Sequence, residues 1–332
     1  MNENPLPSPG YDPQRSERRS GRAGGIATVL VVAAIVVAGL ATRGWLFRPA
    51  ADVGTGGDMA CDITEPFEDV RIDVVSCDVS VSAGGNTCAV EYRGPSRMAC
   101  TAEVKNGTLQ IEEKRVRRLS FWNWFSRRNS KLTVILPQEQ YDALELCAVS
   151  GDVKLEDGGL FRDLRIATTS GDMDLTGAGG GDVTLESTSG DMEFRDGSAS
   201  SLSVGTTSGD VAVTGVDVSG RAVLSTISGE VALLDADAES LSVSTTSGNV
   251  TVTGVDVTGR TELSTTSGDV VLLDADAESL SISTTSGDVR TELRTPKEYV
   301  THTVSGDVSV ANNVPGAGRC EIETVSGEIL CR

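Results

Sequence analysis

The sequence has little histidine, lysine or aromatic content. A single histidine, His302, stands among 332 residues. A Ser/His/Asp or Cys/His nucleophile arrangement therefore has no histidine to draw on outside the repeat that holds it, and a histidine-based zinc site fails for the same reason. Aromatic residues make up 4% of the chain, which is low for a globular core. Gly, Ser, Thr and Val are abundant instead, the composition of many short strands joined by tight turns. Only five of the 28 cationic residues are lysine, and the formal net charge is −20. Residues 1–50 carry six Arg against three acids, which is +3, so the remainder sums to −23. A surface this acidic disfavours nucleic acid as a partner, because phosphates need a basic face. Long loops are also missing between residues 150 and 310. A carbohydrate-active β-helix enzyme needs such loops to wall a cleft around paired carboxylates. That class is the remote alternative, and the chain is expected not to be an enzyme.

One apolar run stands out, Ala23 to Ala41. Residues 1–22 before it are polar and rich in Pro, Ser and Arg, and they read as a disordered cytoplasmic tail. Nineteen residues at about 1.5 Å each cover roughly 28 Å, close to the thickness of a hydrocarbon core. Residues 23–43 are therefore expected to form a transmembrane helix, a signal-anchor. Arg15, Arg18, Arg19 and Arg22 precede it, while Arg43 and Arg48 follow it. This asymmetry keeps the N-terminus cytoplasmic and sends the C-terminal part out. The alternative is cleavage after small residues such as Gly39 and Ala41, which would give a secreted protein. Residues 44–60 read as a linker.

The repeat decides the fold class. Ser-Gly followed by an acid or amide occurs ten times, at Ser150, Ser170, Ser189, Ser208, Ser228, Ser247, Ser267, Ser286, Ser305 and Ser326. The spacing is 19 to 21 residues, the period of a solenoid. Residues 208–246 and 247–285 agree at 30 of 39 positions, a tandem duplication of two coils. Three residues after the serine every copy is apolar, from Val153 to Ile329. Five after and four before are mostly apolar too, and two before is usually Thr. Steps of two within each arm mean strands with one buried face. The inward parity changes between the arms, so the chain must bend or bulge at Ser-Gly. A second turn is expected seven residues after the serine, at Asp157, Gly177, Asp196, Gly215, Asp235, Gly254 and Asp274. The expectation is an all-β chain: a β-solenoid of about ten two-strand coils over residues 144–332, with an irregular N-terminal β cap over residues 61–143, behind one transmembrane helix. Within the cap stretch, Val74 to Val81 resembles a degenerate copy with Cys77 in the glycine place, and hairpin-like strands are expected around Cys88–Tyr92 and Ala99–Val104.

Three features could carry function. The acids after Ser-Gly, such as Asp269, Asp288 and Asp307, would stack about 5 Å apart. They read as turn chemistry, each capping backbone N–H groups at its own turn. Calcium is the alternative, and otherwise no cofactor is expected. All seven cysteines lie beyond the apolar run, where oxidation is feasible. Cys320 and Cys331 replace inward residues on opposite arms of the last copy, so a disulfide is expected to close that coil. Cys88 and Cys100 are a second candidate, across a hairpin. Finally, Lys114 to Lys131 holds seven cations and no acid around Phe121, Trp122, Trp124 and Phe125. With Arg127 and Arg128, this segment is the candidate contact with membrane or partner. The alternative is that its rings fold back on the cap.

The Leu132–Pro137 strand followed by tandem Thr-Thr-Ser-Gly-Asp-Val copies resembles the bacterial "putative adhesin" β-strand-repeat family, a domain of unknown function with a toastrack-type β-solenoid. The resemblance covers about residues 61–332 and brings no catalytic residues. It implies an envelope protein, often membrane-anchored, linked to adhesion or envelope-stress signalling. The function expected is a membrane-anchored extracytoplasmic binding or sensory module. The alternative is a passive structural or adhesive surface rod. The expected partners are the cell membrane, through residues 23–43, and an envelope polymer or envelope protein.

Overall fold

The structure, a computed structural model, describes residues 57–95, 98–115, 130–137, 140–157, 160–310 and 313–332. The expected tail, membrane helix and most of the linker lie outside the described residues. Among the described residues every regular element is a strand, and no helix is long and apolar enough to cross a membrane.

The repeat becomes a parallel β-solenoid of about nine turns. Ten copies suggested about ten turns; the Ser305 copy has one of the shortest strands after its bend, Val308–Val310. Each rung places one strand before its serine in a leading sheet and one strand after its glycine in a trailing sheet. The serines stack from rung to rung, Ser76 on Ser150 on Ser170 on Ser189, and on through Ser286. In-register stacking puts like residues together on the inner face. Val211, Val231, Val250 and Val270 form one such column in the trailing sheet, none more than 1% exposed. Leu224, Val243, Leu263 and Ile282 form its counterpart in the leading sheet. Burying each such side chain contributes about 1.5–3 kcal/mol, and only a neighbouring rung can do the burying.

The turn seven residues after the serine forms as expected. Asp157, Asp196, Asp235 and Asp274 adopt φ of 44, 51, 49 and 49°. Short polar side chains tolerate this left-handed conformation, and glycine takes the same place at Gly177, Gly215 and Gly254. A third inward pair follows this turn, which a two-strand coil did not anticipate. It is Val216 with Val218, then Ala236 with Ala238, Val255 with Val257, and Ala275 with Ala277, all buried. Large and small pairs alternate up the stack, so neighbouring layers interlock. A bulge between Val218 and Arg221 then swings the chain into the leading strand.

Both ends depart from simple sequential stacking. Leu280 pairs with Cys320, and Cys320 pairs in turn with Tyr299. In the trailing sheet Thr291 pairs with Cys331, which pairs with Val310. The Ser326 rung is therefore inserted between the Ser286 and Ser305 rungs, and the Ser305 rung is outermost. The N-terminal end mirrors this. Ile72 pairs with Ile111 on one side and Leu146 on the other, while Val79 pairs with Leu132 and Val153. The degenerate copy Asp69–Gly85 is thus a full rung inside the solenoid. Outside it lies the rung made of Thr108–Arg115 and Ser130–Pro137. At each end the outermost rung is covalently held by inner rungs on both sides of its sequence. Antiparallel strands border the N-terminal end: Met98–Lys105 on Thr108–Arg115, and Cys88–Arg93 on Ser130–Pro137. The expected hairpin between the Cys88 and Cys100 strands does not form, because each pairs into a different sheet.

Candidate functional site

The Ser-Gly-acid column is the most regular chemical feature. Its bends bring backbones close. Thr226, Thr245, Thr265 and Thr284, each two residues before a serine, donate their hydroxyls to the carbonyls of Gly209, Gly229, Gly248 and Gly268 one rung below, at 3.1–3.3 Å. The bond is confined to these four rungs: Thr168, Thr303 and Thr324, at the same place in their copies, have no side-chain hydrogen-bond partner among the described residues.

The acids do cap backbone donors, but not at their own turns. Most accept the backbone N–H of the residue at the same place on the next rung. Asp172 N–H donates to Asp152 at 3.1 Å, Asp191 to Asp172 at 2.9 Å, and Asp210 to Asp191 at 2.8 Å. Beyond Asn249, Asp288 donates to Asp269 and Glu328 to Asp288, both at 2.8 Å. Asn249 fits without a break. Its amide oxygen accepts from Asp269 N–H at 2.9 Å, and its amide nitrogen donates to Glu230 at 2.9 Å. Glu328 continuing from Asp288 independently records the rung order, Ser326 on Ser286. Among the described residues no three His, Cys, Asp or Glu side chains converge as a metal-holding group.

A buried polar cluster sits at the N-terminal end. Glu113 is 3% exposed. One carboxylate oxygen accepts the Tyr92 hydroxyl at 2.8 Å, and the other accepts Val75 N–H at 2.9 Å and Ser76 N–H at 3.0 Å. The Tyr92 hydroxyl also lies 3.1 Å from that of Ser130. Burial raises the Tyr92 pKa, and Ser130 opposes the shift. The Ser76-Cys77 bend lacks the usual glycine, and Glu113 supplies acceptors for its backbone. Strand parity could have flagged this residue: Leu109 and Ile111 face inward, so Glu113 must too.

The cysteines stand as thiols in the structure. Cys320 and Cys331 share one rung, are both buried and interact electrostatically, as the sequence placed them. Their rung, however, has neighbours on both sides and is not terminal. Burial pushes Cys320 up to about 12, Cys100 up to about 12 and Cys88 up to about 11. Burial is the main cause of these shifts, and Cys61 adds to those of Cys88 and Cys100. The contact segment with Phe121, Trp122, Trp124, Phe125, Arg127 and Arg128 lies outside the described residues. Its flanks, Arg115 and Ser130, belong to the outermost N-terminal rung.

A shallow, open depression of about 370 Å³ lies on the leading side, lined by Gly180, Ser198, Ala199, Asp217, Ser219 and Asp237. Hydroxyls and two separated acids line it, an arrangement suited to weak polar contact.

Among solved structures the likenesses are weak. A "putative adhesin" from Bacteroides fragilis is 16% identical, with 71% of this chain and 96% of that one covered and a TM-score of 0.39. A "putative lipid binding protein" from Parabacteroides distasonis is 15% identical, with 71% and 97% covered and a TM-score of 0.40. A "putative adhesin" from the same organism is 16% identical, with 83% and 98% covered and a TM-score of 0.31. No curated protein matches in sequence. The family profile described as Toastrack DUF4097 matches residues 67–226 and 219–331, between them nearly all of the described solenoid, and the chain belongs to that family.

Proposed function

We propose that this chain is a membrane-anchored binding and sensory module of the bacterial cell envelope, adhesin-like, with the solenoid as its rigid extracytoplasmic arm. The observation that carries the reading is the in-register stacking of the Ser-Gly bends from rung to rung. Most acids after Ser-Gly, four of the threonines and the bend glycines of the repeat are engaged in rung-to-rung hydrogen bonds. Side chains so engaged build a stiff support, and recognition then falls to features outside the periodic part. The aromatic, cationic segment Lys114–Lys131 is that feature. It springs from the rung nearest the expected anchor. Trp122 and Trp124 suit a membrane interface or an envelope polymer, and Arg127 and Arg128 suit its anionic groups.

The test is the double change Trp122→Ser with Trp124→Ser in the full chain. Loss of binding to envelope fractions at unchanged thermal stability supports the proposal. A large fall in stability with binding per folded molecule intact makes the rings structural and removes the site. Topology is tested separately: protease added to intact spheroplasts should remove the solenoid and spare the N-terminal tail.

A further inference from the structure

The outer face of the trailing sheet changes character along the solenoid. Its first outward column pairs Lys154, Asp174 and Glu193 in turn, and then becomes Ala212, Ala232, Thr251 and Val271 before Arg290. The second column runs Glu156, Thr176 and Arg195, and then Thr214, Leu234, Thr253 and Leu273 before Glu292. Four consecutive rungs thus carry a flat stripe with no charge. Leu234 at its centre is 36% exposed. The stripe belongs to the duplicated segment, yet the duplicates differ here: Ala212 became Thr251 and Ala232 became Val271, and neither change brought in a charge.

The rims of the stripe are charged, and the pattern is self-complementary. The Asp174 rung holds only an acid, which pairs with Arg195 of its own copy at 2.9 Å. The other three charged rungs each hold one cation and one anion, in opposite columns: Lys154 with Glu156 and Glu193 with Arg195, paired within one copy at 2.7 and 2.8 Å, and Arg290 with Glu292. A two-fold axis along the solenoid lays a second copy face to face and exchanges the columns, so every one of these rungs meets its opposite charge. A two-fold axis across the solenoid also matches Glu193 with Arg290 and Arg195 with Glu292, but it sets the Asp174 rung against Leu330 and Arg332 and leaves Lys154 without its match. We infer that the stripe is a docking face for a second copy of this chain, with the two solenoids side by side and their N-terminal ends together.

The area limits the strength of the contact. Four rungs about 4.8 Å apart and two outward residues wide give on the order of 250 Å² per copy, far below the roughly 800 Å² of a standard interface. Association in dilute solution is therefore weak. It becomes effective when both copies are confined to one membrane, which raises their effective concentration. On this point alone the inference rests on the proposed anchor.

The experiment uses the full chain in phosphatidylcholine vesicles, with a carbodiimide that joins carboxylates to lysine amines. Lys154 and Glu156 are 2.7 Å apart within one copy, so a bond inside the monomer competes. The wild type is expected to give in addition a covalent species of twice the mass, and in isotope-mixed protein a Lys154–Glu156 bridge between labelled and unlabelled copies. Two variants place like charges on the stripe, Thr251→Lys with Thr253→Lys and Thr251→Glu with Thr253→Glu. Each alone should lower the dimer fraction about tenfold, the loss of roughly 1.4 kcal/mol. Mixing the two should restore it, because equivalent rungs meet in this arrangement. Rescue by mixing also shows that both variants are folded. A wild type that stays monomeric in the vesicles, variants that dimerise as well as wild type, or a mixture without rescue overturns the inference. Chain that fails to enter vesicles overturns the anchor instead, and the face is then scored by sedimentation of concentrated wild type, where a monomer overturns it.

Discussion

The carbonyl oxygen of Gly209 lies 2.0 Å from the point where a Cβ on Gly229 would stand. The same approach recurs up the stack, with Gly229 under Gly248 and Gly248 under Gly268. The bend glycine is therefore demanded twice, by a φ of 154° and by the rung below. Gly229→Ala is expected to cost about 3 kcal/mol or more, since strain and overlap add. Gly84→Ala is the control: its φ is 144°, but nothing lies within 4 Å, so only the strain of about 1–3 kcal/mol applies. Denaturant midpoints of the two variants measure the difference. Equal losses would mean that close approach contributes nothing.

Asp269 accepts the N–H of Asp288 and donates its own to Asn249. The rung-to-rung ladder needs an acceptor oxygen, and Asn249 shows that an amide provides it. Asp269→Asn should therefore stay within about 0.5 kcal/mol of wild type, while Asp269→Ala should lose about 1 kcal/mol by orphaning the Asp288 N–H. If the column were instead a calcium site, the Asn variant would lose a calcium-dependent rise in melting temperature that wild type shows. Thermal melts with calcium and with chelator separate the two readings.

Much of the solenoid was legible because each rung repeats the same local problem. The phase of Val211, Val231 and Val250, the bend at Ser-Gly and the turn at Asp235 all follow from period-two alternation and from residues suited to left-handed backbone. The Val216 and Val218 pair was less legible, since two apolar residues beside a turn look like loop. Rung order at the ends was not legible at all. The Ser305 and Ser326 copies satisfy the same periodic pattern, and choosing which one stacks on Ser286 depends on long-range packing. Val308 is 45% exposed, whereas Ile329, at the same position in its copy, is fully buried. The outer copy is the one that carries Thr301 four residues before its serine, where the Ser326 copy holds Ile322 and the others Leu, Val or Ile. The candidate contact segment was legible only as composition, because no repeat constrains it.

Cys320 and Cys331 are expected to be joined under oxidising conditions, since they face one core layer from opposite sheets. Peptide mapping without reduction should find the linked pair, and closing this short loop contributes about 2–3 kcal/mol. Reduced protein makes a further, pH-dependent statement. Burial holds the Cys320 thiol at about 12 against its ordinary 9.0, and Cys100 likewise. The folded state therefore keeps protons that the unfolded chain releases. This stabilisation is complete below about pH 9 and is lost as pH rises toward 12. Urea midpoints of reduced protein should fall across that window, and the Cys320→Ala with Cys331→Ala variant should fall less. Oxidised and reduced protein with identical alkaline profiles would show that the pair never forms.

The insertion of the Ser326 rung makes a prediction about distance that sequential stacking reverses. Ser281 pairs with Glu321, and Glu321 pairs with Val300. Ser281 and Glu321 are thus one rung apart, about 4.8 Å, while Ser281 and Val300 are two rungs apart, about 9.6 Å. All three point outward, so cysteine is tolerated at each. A disulfide needs Cα atoms within about 7 Å. Ser281→Cys with Glu321→Cys should therefore oxidise to an internal bond, and Ser281→Cys with Val300→Cys should not. The buried native thiols, held protonated, compete poorly with the introduced pair. Mapped disulfides give the answer directly. A bond between positions 281 and 300, and none between 281 and 321, would mean that the copies stack in sequence order and that the outermost rung is the Ser326 copy. The Cys320–Cys331 pair would then close an exposed end.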